Sequence, residues 1–362
     1  MGGYKYNGTP MNFGMRAYNC QDYGVVTTSA DNTDALQDLI DTVAENGGGV
    51  IWMPSGTYNF IKESSTSAMS GNAQNNVYLK NNVSIVGEGI DSTILRLSGS
   101  TQTGCSLFGY FSQDNSNAAL VGCSFSNFTV DMTDLTMATY THKGKAFYVS
   151  GIKDSIFRDL RLIGTPSTAL GIDMLDNVVI DSIYCYNCGR QWASGGNGGA
   201  CIGIGTGKWA NENYIIRNCV IDTAGHFGIF LEDQGIFGTA HNRYYSKGQI
   251  ICNNVIRNGR NYGIGLRGGQ NVLITGNNIY ACVGGLYVDY GAKNAVFSNN
   301  LVQGCSGAAF NYGNESTLYP CEKIVVTGNA FMDNAIGIKK TLAPTDSIEI
   351  NNVMIGNTTD NA

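Results

Sequence analysis

The sequence predicts a parallel β-solenoid, and three observations carry that prediction. A short apolar strand recurs from about residue 120 to the end, with a small polar residue at one fixed place. Asn254, Asn278, Asn300, Asn329 and Asn352 each precede an apolar residue, at intervals of 24, 22, 29 and 23. Going backward, Cys219, Ser182, Asp159 and Asn127 take the same place. A period in the low twenties with no helix between strands reads as stacked coils, each contacting only its neighbours. A second segment also repeats, as a glycine followed by an aliphatic residue: Gly171-Ile172, Gly203-Ile204, Gly228-Ile229, Gly263-Ile264 and Gly285-Leu286. The composition agrees: 48 glycines serve many tight corners, only 5 prolines interrupt, and 14% charged residues suit strands buried on one face.

Taken in order, residues 1–30 are polar and glycine-rich, with a short strand expected near Val25-Val26. Residues 34–45 predict the one clear helix. Leu36, Leu39, Ile40 and Val43 form an apolar stripe, Thr33 is placed to cap the start, and Gly47 follows the end. This amphipathic helix is suited to plug the exposed first coil. Gly49-Val50-Ile51-Trp52-Met53 is a strand closed by a Pro54-Ser55-Gly56 turn, and residues 61–80 read as a polar loop. Strands resume at Val83 and at Thr93. The whole chain, 1–362, is read as one solenoid, with 1–60 as cap and first strands and 80–362 as coils.

Several classes are excluded by content. A formal net charge of −6 disfavours nucleic acid, and no run reaches membrane-spanning length. No N-terminal apolar stretch resembles a signal peptide. The 11 cysteines read as buried small side chains, Cys282 and Cys305 taking equal places in consecutive coils. Cys185 and Cys188 form a lone C-x-x-C without a second pair, and with only 3 histidines no zinc site is expected.

A family resemblance attaches to the opening of the chain. Tyr18-Asn-Cys-Gln-Asp-Tyr-Gly-Val25, Asp31-Asn-Thr-Asp-Ala-Leu-Gln37 and Gly47-Gly-Gly-Val-Ile-Trp-Met-Pro-Ser-Gly-Thr-Tyr58 resemble the start of the pectate-lyase-like, right-handed parallel β-helix proteins. That group includes polysaccharide lyases, glycoside hydrolases, alginate epimerases and phage tailspike depolymerases. The resemblance implies an all-β, right-handed parallel β-helix with an N-terminal capping helix, and a carbohydrate-active protein. It does not choose the reaction. The epimerases carry a Gly-aromatic-Asp-Pro-His stretch. Its Asp matches Asp173, while Met174 and Leu175 stand at the Pro and His positions. A later family His-Gly falls within one residue of His226, and a second family Asp falls in the Gly203–Gly207 stretch, which has no carboxylate.

Strand alternation places the candidate site. If the aliphatic residue after each repeated glycine points inward, the intervening positions point out. Glu232, Arg267 and Asp289 then share one column on successive coils, with Asp173 in the adjoining column. Phe230 and Tyr287 add aromatic faces, His226 precedes the Glu232 strand, and Lys208 follows the Gly205 strand. The ordinary alternative for Glu232, Arg267 and Asp289 is a surface ion ladder. For Lys143, Lys145 and His142 it is a solvated turn. Insertions at 189–200, with Trp192, and at 234–247, with Arg243, are expected to wall a groove.

The expected catalytic residues are therefore Asp173, Glu232, His226 and Asp289, and the expected substrate-binding residues are Arg267, Tyr287, Phe230, Lys208, Trp192 and Arg243. Paired carboxylates suit glycoside hydrolysis. A base with a neutraliser suits β-elimination or epimerisation. No cofactor is required, though calcium held by Asp173 and Glu232 would serve the second chemistry. The expected partner is a polysaccharide or surface glycan, met outside the cell or at its surface. The chain is expected to be a monomer, or a homotrimer on a virion if it resembles the tailspikes.

Overall fold

A computed structural model of the chain describes residues 5–6, 9–10, 16–61, 75–101, 104–111, 119–138, 143–191, 199–209, 211–234, 248–313 and 319–362. From strand Ala17–Asn19 onward every strand pairing is parallel, and each strand pairs with its counterpart one coil away. Strands Ile202–Thr206, Ile229–Asp233, Tyr262–Arg267, Gly284–Asp289, Ala308–Tyr312 and Ile336–Lys340 make one face of the rod. Asn213–Arg217 through Ile348–Ile350 make a second face, and Val220–Asp222 through Val353–Ile355 a third. Two 17-residue strands, Phe147–Ile163 and Leu170–Tyr186, run continuously past several corners.

The interior is built from aliphatic columns. Ile202, Ile229, Ile264, Leu286, Phe310 and Ile338 stack along the first face, all buried. Near the start of the coils the filling becomes aromatic, with Phe108 stacked on Phe147 at 4.9 Å and Phe125 on Phe157 at 5.0 Å.

The helix spans Thr33–Glu45, as its periodicity predicts, and buries Leu36, Leu39, Ile40 and Val43 against the first coils. Its Gln37 covers the sheet edge: Tyr78 N–H donates to Gln37 Oε1 at 2.6 Å, and Gln37 Nε2 donates to the Tyr78 carbonyl at 3.2 Å. The start differs from expectation. Thr33 lies inside the helix, Asn32 holds the cap position, and the Asp31 carboxylate accepts from the Thr33 N–H at 3.0 Å. Val25-Val26 is not a strand either. The Val25 N–H donates to the Cys20 carbonyl and the Val26 N–H to Asn32 Oδ1, so both donors are taken by a local turn.

The repeating polar residue resolves into two adjacent columns. The inner one is a ladder of Asn254, Asn277, Asn300, Asn329 and Asn352. In each coil the backbone N–H and side-chain amide of one Asn donate to the Oδ1 of the next, at 2.9–3.1 Å. Asn277, not Asn278, is the ladder member. Asn278 pairs in register with Val255 and Leu301 on the third face. The outer column takes Asn127, Asp159 and Ser182, whose φ angles of 61°, 49° and 56° are left-handed, and continues through Asn218 and Asn253. Asn and Asp tolerate that conformation, so this column turns the corner while the inner one satisfies it.

Candidate functional site

The groove lies on the first face and encloses about 640 Å³, a size that suits a small-molecule or sugar site. Its floor is set by register. Asp173 pairs with Gly205, Gly205 with Glu232, Glu232 with Arg267, and Arg267 with Asp289. All five share one column. Asp173 therefore belongs beside Glu232 and not in the adjoining column where the repeat had placed it. The Gly-Ile pairs cause the difference. Gly171 and Gly203 align with Phe230, whereas Gly228 aligns with Gly263, two residues earlier in the strand. A two-residue slip keeps every side chain on its own face, so alternation alone does not reveal it.

Glycine at position 205 leaves open the space that the Asp173 carboxylate fills. A Cβ on Gly205 would fall 2.1 Å from Asp173 Oδ1 and 2.9 Å from Gln234 Cγ. The Asp173 carboxylate thus leans across the bare backbone of Gly205 toward the Glu232 coil. Two coil steps place the two residues about 9.6 Å apart along the rod. Gly205→Ala is expected to displace Asp173 and lower activity by at least about tenfold while leaving the melting temperature nearly unchanged. Matched rate and melting measurements on the two proteins check this.

Glu232 is held from two sides: Arg267 Nη1 donates to its Oε1 at 2.8 Å and Gln234 Nε2 to its Oε2 at 3.3 Å. Arg267 also lies over the Tyr290 ring at 4.9 Å. Aromatic rings wall the groove. Phe227 and Phe230 stack at 4.4 Å with 12° between planes, and Tyr262 meets Tyr287 at 4.9 Å. Such faces suit pyranose rings, with the polar groups fixing orientation.

His226 sits edge-on to Phe227 at 4.4 Å. Burial, aided by the positive Arg267, pushes its pKa down from 6.5 to about 4. The imidazole is thus neutral at pH 7 and fits a proton acceptor better than a donor. Between about pH 4 and 6.5 the unfolded chain binds a proton at His226 that the folded chain refuses, so stability falls as pH drops through that window. A His226→Gln variant is expected to show a flatter melting-temperature profile between pH 6.5 and 4. An unchanged slope would show that His226 does not cause the loss.

The strongest feature that sequence reasoning underweighted is Lys145. It is buried, its Nζ lies 3.7 Å from the centre of the Tyr148 ring, and a Cβ on Gly171 would fall 2.8 Å from that Nζ. Burial pushes its pKa down to about 8, while Asp173 and then Glu232 pull the other way. Tyr148 is pushed up to about 12, by burial first and by Asp173 second. Lys145 had read as part of an exposed turn because it precedes its strand. Only the fold folds its stem back under Gly171.

The groove brings together Asp173, Glu232, His226, Arg267, Phe230 and Tyr287 from the expected set, and adds Lys145, Phe227, Tyr262 and Gln234. Asp289 shares the column but does not line the groove. It is buried, accepts from Tyr287 Oη at 2.5 Å, and packs with that ring against Gly313. Lys208 is also outside the lining. Its loop is drawn away by Glu212, whose carboxylate accepts from the N–H groups of Gly207, Lys208 and Trp209 and from the Thr206 hydroxyl. Trp192 and Arg243 lie outside the described residues, as does His142. Ala200 and Gln234, at the bases of the two insertions, do line the groove. Leu175, at the epimerase His position, is fully buried, and Met174 before it has a left-handed φ of 58° and packs on Trp209.

Comparison with known proteins agrees with this architecture. A family profile described as "Right handed beta helix region" matches residues 234–358. Alginate lyase 7 of Azotobacter vinelandii is 37% identical over 83 residues, which is 22% of this chain and 9% of that protein. The chain thus matches less than a tenth of that relative's length. Among solved structures, the A-module of mannuronan C-5 epimerase AlgE4 of Azotobacter vinelandii superposes with a TM-score of 0.66 at 15% identity, covering 95% of this chain and 97% of that one. The tailspike protein of E. coli bacteriophage HK620, in complex with a pentasaccharide, gives a TM-score of 0.67 at 14% identity, covering 95% of this chain and 63% of that one. The chain folds as a right-handed parallel β-helix with an N-terminal helical cap.

Proposed function

We propose that the chain is a polysaccharide-cleaving enzyme whose chemistry runs at the carboxylate pair Asp173 and Glu232. One observation carries this reading: the two carboxyls flank the bare backbone of Gly205 in a groove walled by aromatic rings. Carboxyls about 6.5–9.5 Å apart leave room for a water on the far side of the sugar, the arrangement of inverting hydrolysis. Asp173, beside the Lys145 ammonium, is the base that activates water. Glu232, in its protonated form, gives its proton to the leaving oxygen from the next coil but one, and Arg267 pairs with the carboxylate this leaves. The aromatic lining and the likeness to a pentasaccharide-bound tailspike support an extended glycan as substrate. Such a substrate places the action outside the cell or at a surface. Among the described residues no helix is long and apolar enough to cross a membrane.

A second chemistry, β-elimination or epimerisation of a uronate, is favoured by one observation. Lys145, with its pKa near 8, is a base poised close to neutral pH, and Arg267 stands by to neutralise a uronate carboxylate. Asp173 and Glu232 would hold calcium if that chemistry uses it, and the incubations with and without calcium test this.

The deciding experiment incubates the protein with neutral and uronate polysaccharides, with and without calcium, following reducing ends and unsaturated-uronate absorbance together. Reducing ends alone are expected. Absorbance rising in step with them would replace hydrolysis by elimination. Binding without either signal would leave epimerisation, read from altered uronate NMR signals, or a glycan-binding module of tailspike or adhesin kind, for which solution mass would tell monomer from trimer.

A further inference from the structure

We propose that Cys185, Cys188 and Cys201 form a binding site for a soft, thiolate-seeking d¹⁰ cation, zinc(II) or copper(I), at the base of the 189–200 insertion. The three Sγ atoms lie within 4.8 Å of one another, and all three residues are fully buried. Three thiolates about 2.3 Å from one zinc ion lie roughly 3.8 Å from each other, so a small inward movement of the side chains closes the site.

Convergence, not thiol hydrogen bonding, sets the trio apart. Cys219, Cys282 and Cys305 stand one per coil, each with its thiol on the carbonyl two residues back, and Cys188 makes the same bond to Tyr186 at 3.5 Å and another to Leu162 at 3.2 Å. The trio instead converges from three elements. Cys185 lies on the long strand Leu170–Tyr186, Cys188 lies in the corner after it, and Cys201 immediately precedes strand Ile202–Thr206. The C-x-x-C therefore has a third sulfur, 13 residues on, that spacing did not identify as a partner.

The surroundings suit a bound cation. The Thr165 hydroxyl, fully buried, donates to the Ser167 carbonyl at 2.7 Å and accepts from the Gly189 N–H at 3.4 Å, which fixes the corner next to Cys188. Three thiolates on a divalent ion leave one negative charge. Arg190 follows Cys188 by two residues, and its guanidinium is anchored to the carbonyls of Gly164, Thr133 and Leu135. Soft sulfur ligands select copper(I) and zinc over oxygen-seeking ions.

The location gives the ion a role. Cys188 and Cys201 bracket the 189–200 insertion, whose ends already meet: a Cβ on Gly189 would fall 1.8 Å from the Gly199 carbonyl oxygen. Ala200, beside Cys201, lines the groove. An ion at the trio would tie both ends of the insertion to the core strand.

The test loads purified full-length protein anaerobically with zinc sulfate in one arm and a copper(I) acetonitrile complex in the other. After desalting, metal is counted per chain and X-ray absorption reads the ligand shell. About one ion per chain with three sulfur ligands is expected in one arm, which identifies the ion. Cys188→Ala and Cys201→Ala are expected to lose it, and Cys252→Ala to keep it. The absorption measurement needs no variant, so a misfolded variant leaves the question answerable. No retained ion in either arm, or a shell with fewer than three sulfurs, would overturn the proposal.

Discussion

Asp173→Asn is expected to lower glycan turnover by at least about 10²-fold, and Glu232→Gln by the same order, with the fold intact. Each change removes a charge and a proton site while keeping size. Neither residue belongs to the core. The Glu232–Arg267 pair retains 30% and 25% side-chain exposure, so its loss removes a weak, screened contact. A catalytic loss therefore separates cleanly from a folding loss. The double variant is expected to fall little below the worse single one, because groups acting on one transition state do not add. The pair also splits the two chemistries. In hydrolysis both variants lose reducing-end production. In elimination driven by Lys145, Glu232→Gln retains much of its rate and Lys145→Met loses it. Melting temperatures, rates at saturating and low substrate, and glycan binding on the same preparations check this. Wild-type rates in both carboxylate variants would sink the site assignment.

The path from sequence to this site was uneven for physical reasons. The coil period, the capping helix and the outward position of Glu232 and Arg267 followed from periodicities that a strand or helix cannot escape. Sideways register did not. Asp173 was placed one column over because a slip of two residues leaves the inward and outward faces unchanged, so only the hydrogen-bonded pairing with Gly205 decides. Asn278 reads from sequence as the ladder member in place of Asn277 for the converse reason. The two are adjacent and chemically alike, and a one-residue difference shows only in which amide reaches Asn254 and Asn300.

Long side chains and distant partners were less legible still. Lys145 has a four-carbon stem that carries its charge from a corner to a place under Gly171, and nothing local in the sequence announces that reach. Asp289 alternates outward as expected, yet Tyr287 two residues before it closes over its carboxylate. Cys201 joins Cys185 and Cys188 across an insertion whose length hides the proximity.

The inner asparagine ladder gives the largest expected effect on stability. Asn300 accepts from the backbone N–H and side-chain amide of Asn277, donates to the Ile274 carbonyl at 3.0 Å, and donates onward to Asn329 at 2.9 Å. Asn300→Ala removes the acceptor and donor together and strands buried groups on two neighbouring coils. Each unsatisfied buried group costs about 1–3 kcal/mol, so a total of about 3–5 kcal/mol is expected. Asn278→Ala, one chain neighbour from the ladder but half-buried on the third face, is expected to stay within about 0.5 kcal/mol. Denaturant titration of the two variants makes the comparison directly. In a rod whose coils contact only their neighbours, the loss at Asn300 is also expected to split the transition, the coils after it melting before those nearer the capping helix. Equal midpoints for Asn300→Ala and Asn278→Ala would mean that the ladder satisfies the corners without stabilising them.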